Sequence, residues 1–325
     1  MGLPAIIRCR ARLYLPIGWL YCQRAYFKYI AGGLEMAEQK QMKLGALLLA
    51  EGGSASGWRH PDAGTKGGAE FGRFKEWAWQ AEAGKLDLVF IADVLYITDK
   101  TPPQYLDQLE PLSLLSALAA ITEHIGLIGT VSTTYSEPYT VARQLGTLDK
   151  ISGGRAGWNI VTSAYEGSAL NHGKAGQTHP EHSLRYKLAD EHLAVVKGLW
   201  DSWEDGAFIR NKETGEYFRK DKLHALNHVG EYFLVEGPLN LSRSVQGQPV
   251  IFQAGSSEAG KNFSAKNADA IFTTQRTMED GIAFKKEIKE RAVAHNRSGD
   301  HILIFNESGQ SSDGRRKRQS ANTSS

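Results

Sequence analysis

Cysteine is nearly absent: the 325 residues contain only Cys9 and Cys22, both in the first segment. Neither a disulfide framework nor a cysteine-ligated zinc site can hold the body of the chain together, and a reducing compartment suits it. Long hydrophobic runs are missing as well. The nearest approach, 13–20, is interrupted by Pro16 and Gly18 and falls well short of the ~20 residues that span a bilayer, so no membrane partner is expected. Charge of one sign is not in excess: the net charge is +2. Basic residues nowhere alternate with aromatics as they would in a nucleic-acid groove. Compact catalytic signatures are lacking too. The body has no GxSxG elbow, no GxxxxGKS/T loop and no cysteine nucleophile, which counts against hydrolases and phosphotransferases. His179, Glu181 and His182 lie close together, but not at the HExxH spacing of a helical zinc site, and no metal is expected.

The two ends differ in composition from the middle. Residues 1–34 carry Arg8, Arg10, Arg12, Arg24 and Lys28 and no acidic residue, as organellar transit peptides do. The alternative is that translation starts at Met36 and that 1–35 is mis-assigned; either way no function is expected there. Residues 306–325 are polar and basic with no apolar period, so they cannot pack. The folded body is expected over 36–305, in the cytoplasm, or in an organelle if the basic extension is a transit peptide.

Between these ends the pattern is regular. Apolar runs bounded by turn residues recur at 42–49, 86–94, 125–134, 157–162, 249–254, 270–274 and 301–305. Helical periodicity fills most of the gaps, at 71–83, 111–122, 140–150, 183–203, 257–266 and 278–296. Continuous apolar strands alternating with helices predict an α/β fold with a parallel sheet covered by helices. A doubly wound dinucleotide fold would need a GxGxxG turn after its first strand, and GGSASGWRHPDAGTKGG is not one. Seven strand candidates favour a closed (β/α)8 TIM-type barrel, whose active face is built by the connections that follow the strands. The stretch 205–248 mixes charges, aromatics and turn residues, with 217–218 and 232–234 as short-strand candidates; it reads as an insertion.

Polar side chains at strand ends mark the candidate site. Asp93 closes the apolar run VFIAD, where a barrel places its chemistry, although it could equally cap the turn that follows. Thr133 lies in the hydroxyl-rich STTY that ends the third strand candidate. Asn159 and Ser163 belong to GWNIVTS; a buried amide needs partners, and a flavin ring edge with its carbonyls and N–H groups would supply them. His182 and Tyr186 are four apart and face the same way on a helix, within joint reach of a phosphate or ring, or as ordinary polar residues of a helix start. The strongest local signal is FQAGSSEAG, where a strand passes through Gly255 into a helix. Backbone N–H groups at such a start, with Ser256 and Ser257, make a phosphate site; an ordinary N-cap would need only one of the two serines.

In order along the chain, LGALLLAEGG, WRHPDA, IADV, LEPLSLLSALAAITEHIGLIGTVSTTYSEPYTVARQLGTLDKISGGRAGWNIVTSA, PEHSLRYKLADE, GLWDSWEDGA and FQAGSSEAG resemble one family. It is the nitrilotriacetate monooxygenase component A group, together with pristinamycin synthase subunits and dibenzothiophene-sulfone monooxygenases, within the bacterial luciferase-like superfamily. The resemblance spans 42–305.

The resemblance implies a luciferase-like barrel and a two-component flavin monooxygenase. An NAD(P)H:FMN reductase would supply FMNH2, O2 would add at the flavin C4a to give a peroxide, and one oxygen atom would pass to a small organic substrate. Matching motif positions implies flavin contacts at Asp93, Thr133, Asn159, Ser163, His182, Tyr186, Ser256 and Ser257. The two serines would take the phosphate, with His182 and Tyr186 nearby, while Asp93, Thr133 and Asn159 would meet the ring. Trp58 and His60 are the substrate-side candidates. Related barrels commonly pair, which admits a homodimer and leaves the oligomeric state open. Family members continue beyond the seventh strand, whereas ILIF here runs straight into the polar tail, so the last β/α unit is expected to be missing. A parallel barrel without its eighth strand should leave two open edges and an exposed core. An inactive truncated paralogue or mis-assigned fragment, and an F420-type oxidoreductase of the same superfamily, are the alternatives.

Overall fold

The computed structural model describes residues 20–22, 41–53, 55–59, 69–173 and 178–308. In chain order its elements are β1 (Leu20–Cys22), β2 (Leu44–Leu47), α1 (Phe71–Ala83), β3 (Leu88–Ile91), α2 (Pro111–Ala119), β4 (Gly126–Ser132), α3 (Pro138–Ile151), β5 (Ala156–Val161) and α4 (Ser168–His172). There follow α5 (His182–Trp200), β6 (His228–Val229), β7 (Leu234–Val235), β8 (Val250–Gln253), α6 (Glu258–Asn267), β9 (Ala270–Thr273), α7 (Met278–Ala294) and β10 (Leu303–Ser308).

Local chemistry explains several boundaries. Pro111 and Pro138 occupy first helical positions, where a missing N–H costs nothing. Glu110 caps α2 by accepting from Leu112 N and Ser113 N at 2.9 and 2.7 Å. That helix stops at Ala119 rather than at 122, because the Arg155 guanidinium takes over the carbonyls of Ala119, Thr122 and Ile125. The Ala119 oxygen would otherwise be orphaned at the helix end.

Strands β2, β3, β4, β5, β8, β9 and β10 pair in parallel in that order. The two edges expected to be open are not left bare. β1 lies between them, antiparallel to both, with Leu20 opposite Ala46 on one side and Ser308 on the other. An edge offers a row of unpaired N–H and C=O groups, and even a three-residue extended segment can satisfy them. The last parallel strand also runs to Ser308 rather than ending at 305, since Asn306, Glu307 and Ser308 pair with β1.

Side chains alternate across the strands, as the period of two demands. Leu47, Phe90, Ile128, Phe252, Phe272 and Phe305 form one buried cluster, with Phe90 and Phe252 stacked on Phe272 at centroid distances of 4.4 and 5.0 Å. This aromatic plug fills the barrel, so the interior is a core and not a pore. Their strand neighbours Leu48, Val89, Ile91, Leu127 and Ile251 turn outward and pack with Ala78, Leu115, Leu145 and Val196 of the helices.

The insertion holds only β6 and β7 as strands; 217–218 is not a strand, and the expected strand at 232–234 is displaced to Leu234–Val235. Glu191 of α5 anchors this hairpin, accepting from Tyr232 N, Phe233 N and His228 Nε2. Burial works to raise its pKa, but the bonds from His228, Phe233 and Tyr232 outweigh that and hold the carboxyl below its ordinary value.

Candidate active site

The C-terminal ends of β3, β4, β5 and β8 surround a cavity of about 270 Å³ whose wall includes Asp93, Ser132, Ser163, Ser168, Tyr186 and Gln253. The aromatic plug closes the barrel below, so a ligand can enter only at the face where barrel sites form.

Asp93 stands just beyond the end of β3 on the cavity wall. Burial pushes its carboxyl up to about 6, and the charge of Glu110 adds to this, against a hydrogen bond from Val94 and the pull of His172. Behind the lining residue Thr130, Asn159 is 3% exposed and donates through Nδ2 to Thr130 Oγ1 at 3.0 Å. Thr130 in turn donates to Ile91 O at 2.9 Å. The Asn159 Oδ1 is buried and has no partner among the described residues, and neither has the Oγ of Ser168, which is 0% exposed. A buried amide oxygen without a donor is costly, and two such atoms beside one cavity fit a ligand that carries both donors and acceptors. A flavin ring edge has this character.

Ser163 adopts a left-handed φ of 53° and donates from Oγ to Ser132 Oγ at 2.8 Å. Thr133 does not line the cavity. It is 2% exposed and joins β4 to β5, with N and Oγ1 both donating to Val161 O. One residue earlier, Ser132 faces the cavity instead, as strand alternation requires.

At the start of α6, Ser257 accepts from Gly260 N at 3.1 Å as an N-cap, and its Oγ lies 3.4 Å from His182 Nε2. Ser256 is exposed and makes no hydrogen bond among the described residues. Tyr186 reaches the same helix start; a Cβ on Gly255 would lie 2.6 Å from its hydroxyl, and one on Gly260 2.8 Å. Only glycine permits this approach at either position. Of the eight residues expected to contact a flavin, Asp93, Ser163 and Tyr186 line the cavity. Asn159 meets it through Thr130, and His182 and Ser257 gather with Tyr186 at the helix start. Trp58 sits half exposed in a tight turn (Gly57–Arg59) away from the cavity wall, and His60 lies outside the described residues.

Gln253 and Ser168 also line the cavity, and neither stands out in the sequence. Gln253 accepts from Gly255 N at 2.6 Å and also from Ser264 Oγ, fixing the turn into α6. Ser168 belongs to α4, a helix too short to leave a periodic signal. Among the described residues no cluster of three or more His, Cys, Asp or Glu could hold a metal ion. No described helix is long and apolar enough to cross a membrane.

Comparisons with known proteins bear on the family and the fold. A family model described as luciferase-like monooxygenase matches residues 50–306. N-acetyl-S-(2-succino)cysteine monooxygenase of Bacillus subtilis (strain 168) is 54% identical over 269 residues, 83% of this chain and 60% of that protein. Nitrilotriacetate monooxygenase component A of Aminobacter aminovorans is 44% identical over 283 residues, 83% of this chain and 62% of that protein. A riboflavin lyase, solved with modified FMN and its substrate riboflavin, superposes with a TM-score of 0.75 at 33% identity, covering 81% of this chain and 61% of that one. The chain spans about 60% of the length of these relatives.

Proposed function

Since the chain belongs to the luciferase-like monooxygenase family, we propose that it is the oxygenase of a two-component system, binding FMNH2 delivered by a separate NAD(P)H:FMN reductase and oxygenating a small organic substrate. The observation that carries this is the pair of partnerless buried oxygens, Asn159 Oδ1 and Ser168 Oγ, beside a cavity at the active face of the barrel. The flavin, when bound, would supply the electrons and activate dioxygen.

The protein's part is to bind, orient and exclude water. Ser256, Ser257 and His182 would hold the phosphate at the start of α6, where the helix N–H groups and dipole favour an anion. Gly255 and Gly260 let Tyr186 close against that turn. Asn159 Oδ1 would accept from a ring N–H, and Ser168 Oγ would donate to a ring acceptor. Asp93, with its carboxyl pushed up to about 6, can hold a proton near neutral pH and so serve as a donor to the ring edge or substrate. Thr133 would support the ring from behind by locking β4 to β5. Ile160, Val161 and Ala254 give the cavity apolar wall that limits water.

Relatives at 54% and 44% identity are named as monooxygenases, which supports oxygenation over F420-type hydride transfer. The cavity is built from strands of the parallel part of the barrel, away from β1, which speaks against an inactive paralogue. The test is FMN-dependent thermal stabilisation, followed by a reductase-coupled assay with N-acetyl-S-(2-succino)cysteine as first substrate. FMN stabilisation with substrate-dependent oxygen uptake supports the proposal. No flavin binding would overturn it.

A further inference from the structure

Beside the cavity, at the start of α5, three side chains form a chain of hydrogen bonds. Arg185 Nη1 donates to Pro180 O at 2.7 Å and to His179 Nε2 at 2.7 Å, and His179 Nδ1 lies 2.5 Å from Tyr135 Oη. A guanidinium has no acceptor, so Nε2 of His179 must be the accepting nitrogen and Nδ1 carries the ring proton. Burial first, and Arg185 second, lower the histidine's pKa, with Glu166 opposing, so the ring is neutral and a single tautomer is fixed. Its Nδ1–H points at the phenol oxygen. The hydroxyl proton of Tyr135 is therefore left free to donate elsewhere.

Arg185 itself is 8% exposed, and its Nε is buried without a partner. Its two bonds go to neutral acceptors, Nη2 makes no hydrogen bond, and no carboxylate lies within ion-pairing distance of it among the described residues. Buried cations are normally paired, because desolvating an unpaired charge is costly. The cluster adjoins the cavity: the Tyr135 ring lies 5.2 Å from that of His172, whose Nδ1 bonds to the carbonyl of the cavity residue Ser168.

The geometry points to an anion subsite on the rim of the cavity, formed by Arg185 and Tyr135 with His179 as the positioning residue between them, which takes a carboxylate of the substrate. A guanidinium matches a carboxylate's planar geometry, and a phenol proton adds a second donor. The cofactor phosphate is the other source of an anion. It is disfavoured because His182 and Tyr186 turn toward α6, with His182 3.4 Å from Ser257, whereas Arg185 turns toward the end of β4. This inference rests on the flavin reading only for the identity of the neighbouring cavity.

The test uses the full chain and succinate as the carboxylate probe, titrated calorimetrically with and without saturating FMN, alongside separate FMN and riboflavin titrations. Succinate should bind in both states, and Arg185→Gln should weaken it at least about tenfold, as expected for a charged hydrogen bond, while leaving the FMN-to-riboflavin affinity ratio unchanged. Tyr135→Phe, which keeps the ring, should weaken succinate by a smaller factor and serves as the measure if Arg185→Gln fails to fold. Arg185→Lys should restore part of the binding. Absence of succinate binding, or binding unaffected by Arg185→Gln and Tyr135→Phe, overturns the subsite. Loss of FMN but not riboflavin affinity in Arg185→Gln assigns the anion to the cofactor phosphate and also overturns it. Succinate binding without any FMN binding leaves the subsite standing and removes the flavin reading instead.

Discussion

Asn159 gives its amide N–H to Thr130 Oγ1, 3.0 Å away across the β4–β5 pair, and keeps a carbonyl oxygen that no described residue meets. Because Thr130 also donates to Ile91 O, the threonine stays satisfied if the amide is removed. The amide oxygen does not, so the site keeps a polar atom at a cost to the fold, as expected where function sets the residue.

Asn159→Leu is predicted to stabilise the flavin-free protein by about 1 kcal/mol, by removing a buried unsatisfied oxygen. The same change should lower FMN affinity at least about tenfold. Thermal melts and flavin titration read both effects. A clear loss of stability with unchanged affinity would show that the oxygen is not the flavin's partner.

Between about pH 4 and 6 Asp93 and His192, two buried groups, act on stability in opposite directions. Asp93 has its pKa raised from 3.8 to about 6, so its contribution is present at low pH and is lost as pH rises through 6. His192 has its pKa lowered by burial from 6.5 to about 4, so its contribution is present above 6.5 and is lost as pH falls through 4. Each is on the order of 1–3 kcal/mol. Asp93→Asn should therefore be more stable than the parent at pH 7, equal to it below pH 4, and should show a rising profile across the window. An unchanged difference at all pH values would exclude the linkage.

Gly260→Ala should destabilise by about 1–3 kcal/mol and abolish FMN stabilisation. The added Cβ would lie 2.9 Å from Gly255 backbone and 2.8 Å from the Tyr186 hydroxyl, and backbone cannot yield as a flexible side chain does. Gly260→Ala together with Tyr186→Phe should recover little, because the backbone contact remains.

The adjacent serines should separate. Ser257→Ala loses the N-cap bond to Gly260 N and should cost about 1 kcal/mol. Ser256→Ala should change stability by less than about 0.5 kcal/mol, yet reduce FMN affinity while leaving riboflavin affinity alone. Equal effects on the two flavins would remove the phosphate from this turn.

Glu191→Gln should loosen the β6–β7 hairpin by about 1–3 kcal/mol, since a neutral amide replaces an acceptor of three donors. Hydrogen exchange at 228–235 would speed up, with the barrel strands unaffected. Protection that falls everywhere would mean that the hairpin is part of the global unfolding unit.

Much of the site was legible because it depends on short stretches. Six helices and seven strands follow from periodicity, and the turn from β8 into α6 announces itself by glycine and two serines. Asp93, Ser163 and Tyr186, singled out by their motifs, line the cavity. Thr133 illustrates the limit: the run STTY carries hydroxyls at every step, and only the pairing register of β4 with β5 turns Ser132 to the cavity and Thr133 into a strand lock. Local pattern, which is a matter of neighbours along the chain, determined which segments become strands and helices and at which end of the barrel the candidate site sits. The tertiary structure decided what depends on residues distant in sequence. Leu20–Cys22 fills the gap between β2 and β10 because both edges present free backbone groups. Arg185, His179 and Tyr135 meet because α5, its preceding loop and the end of β4 are brought together by packing, and no spacing along one chain encodes a contact that three separate elements must make in space.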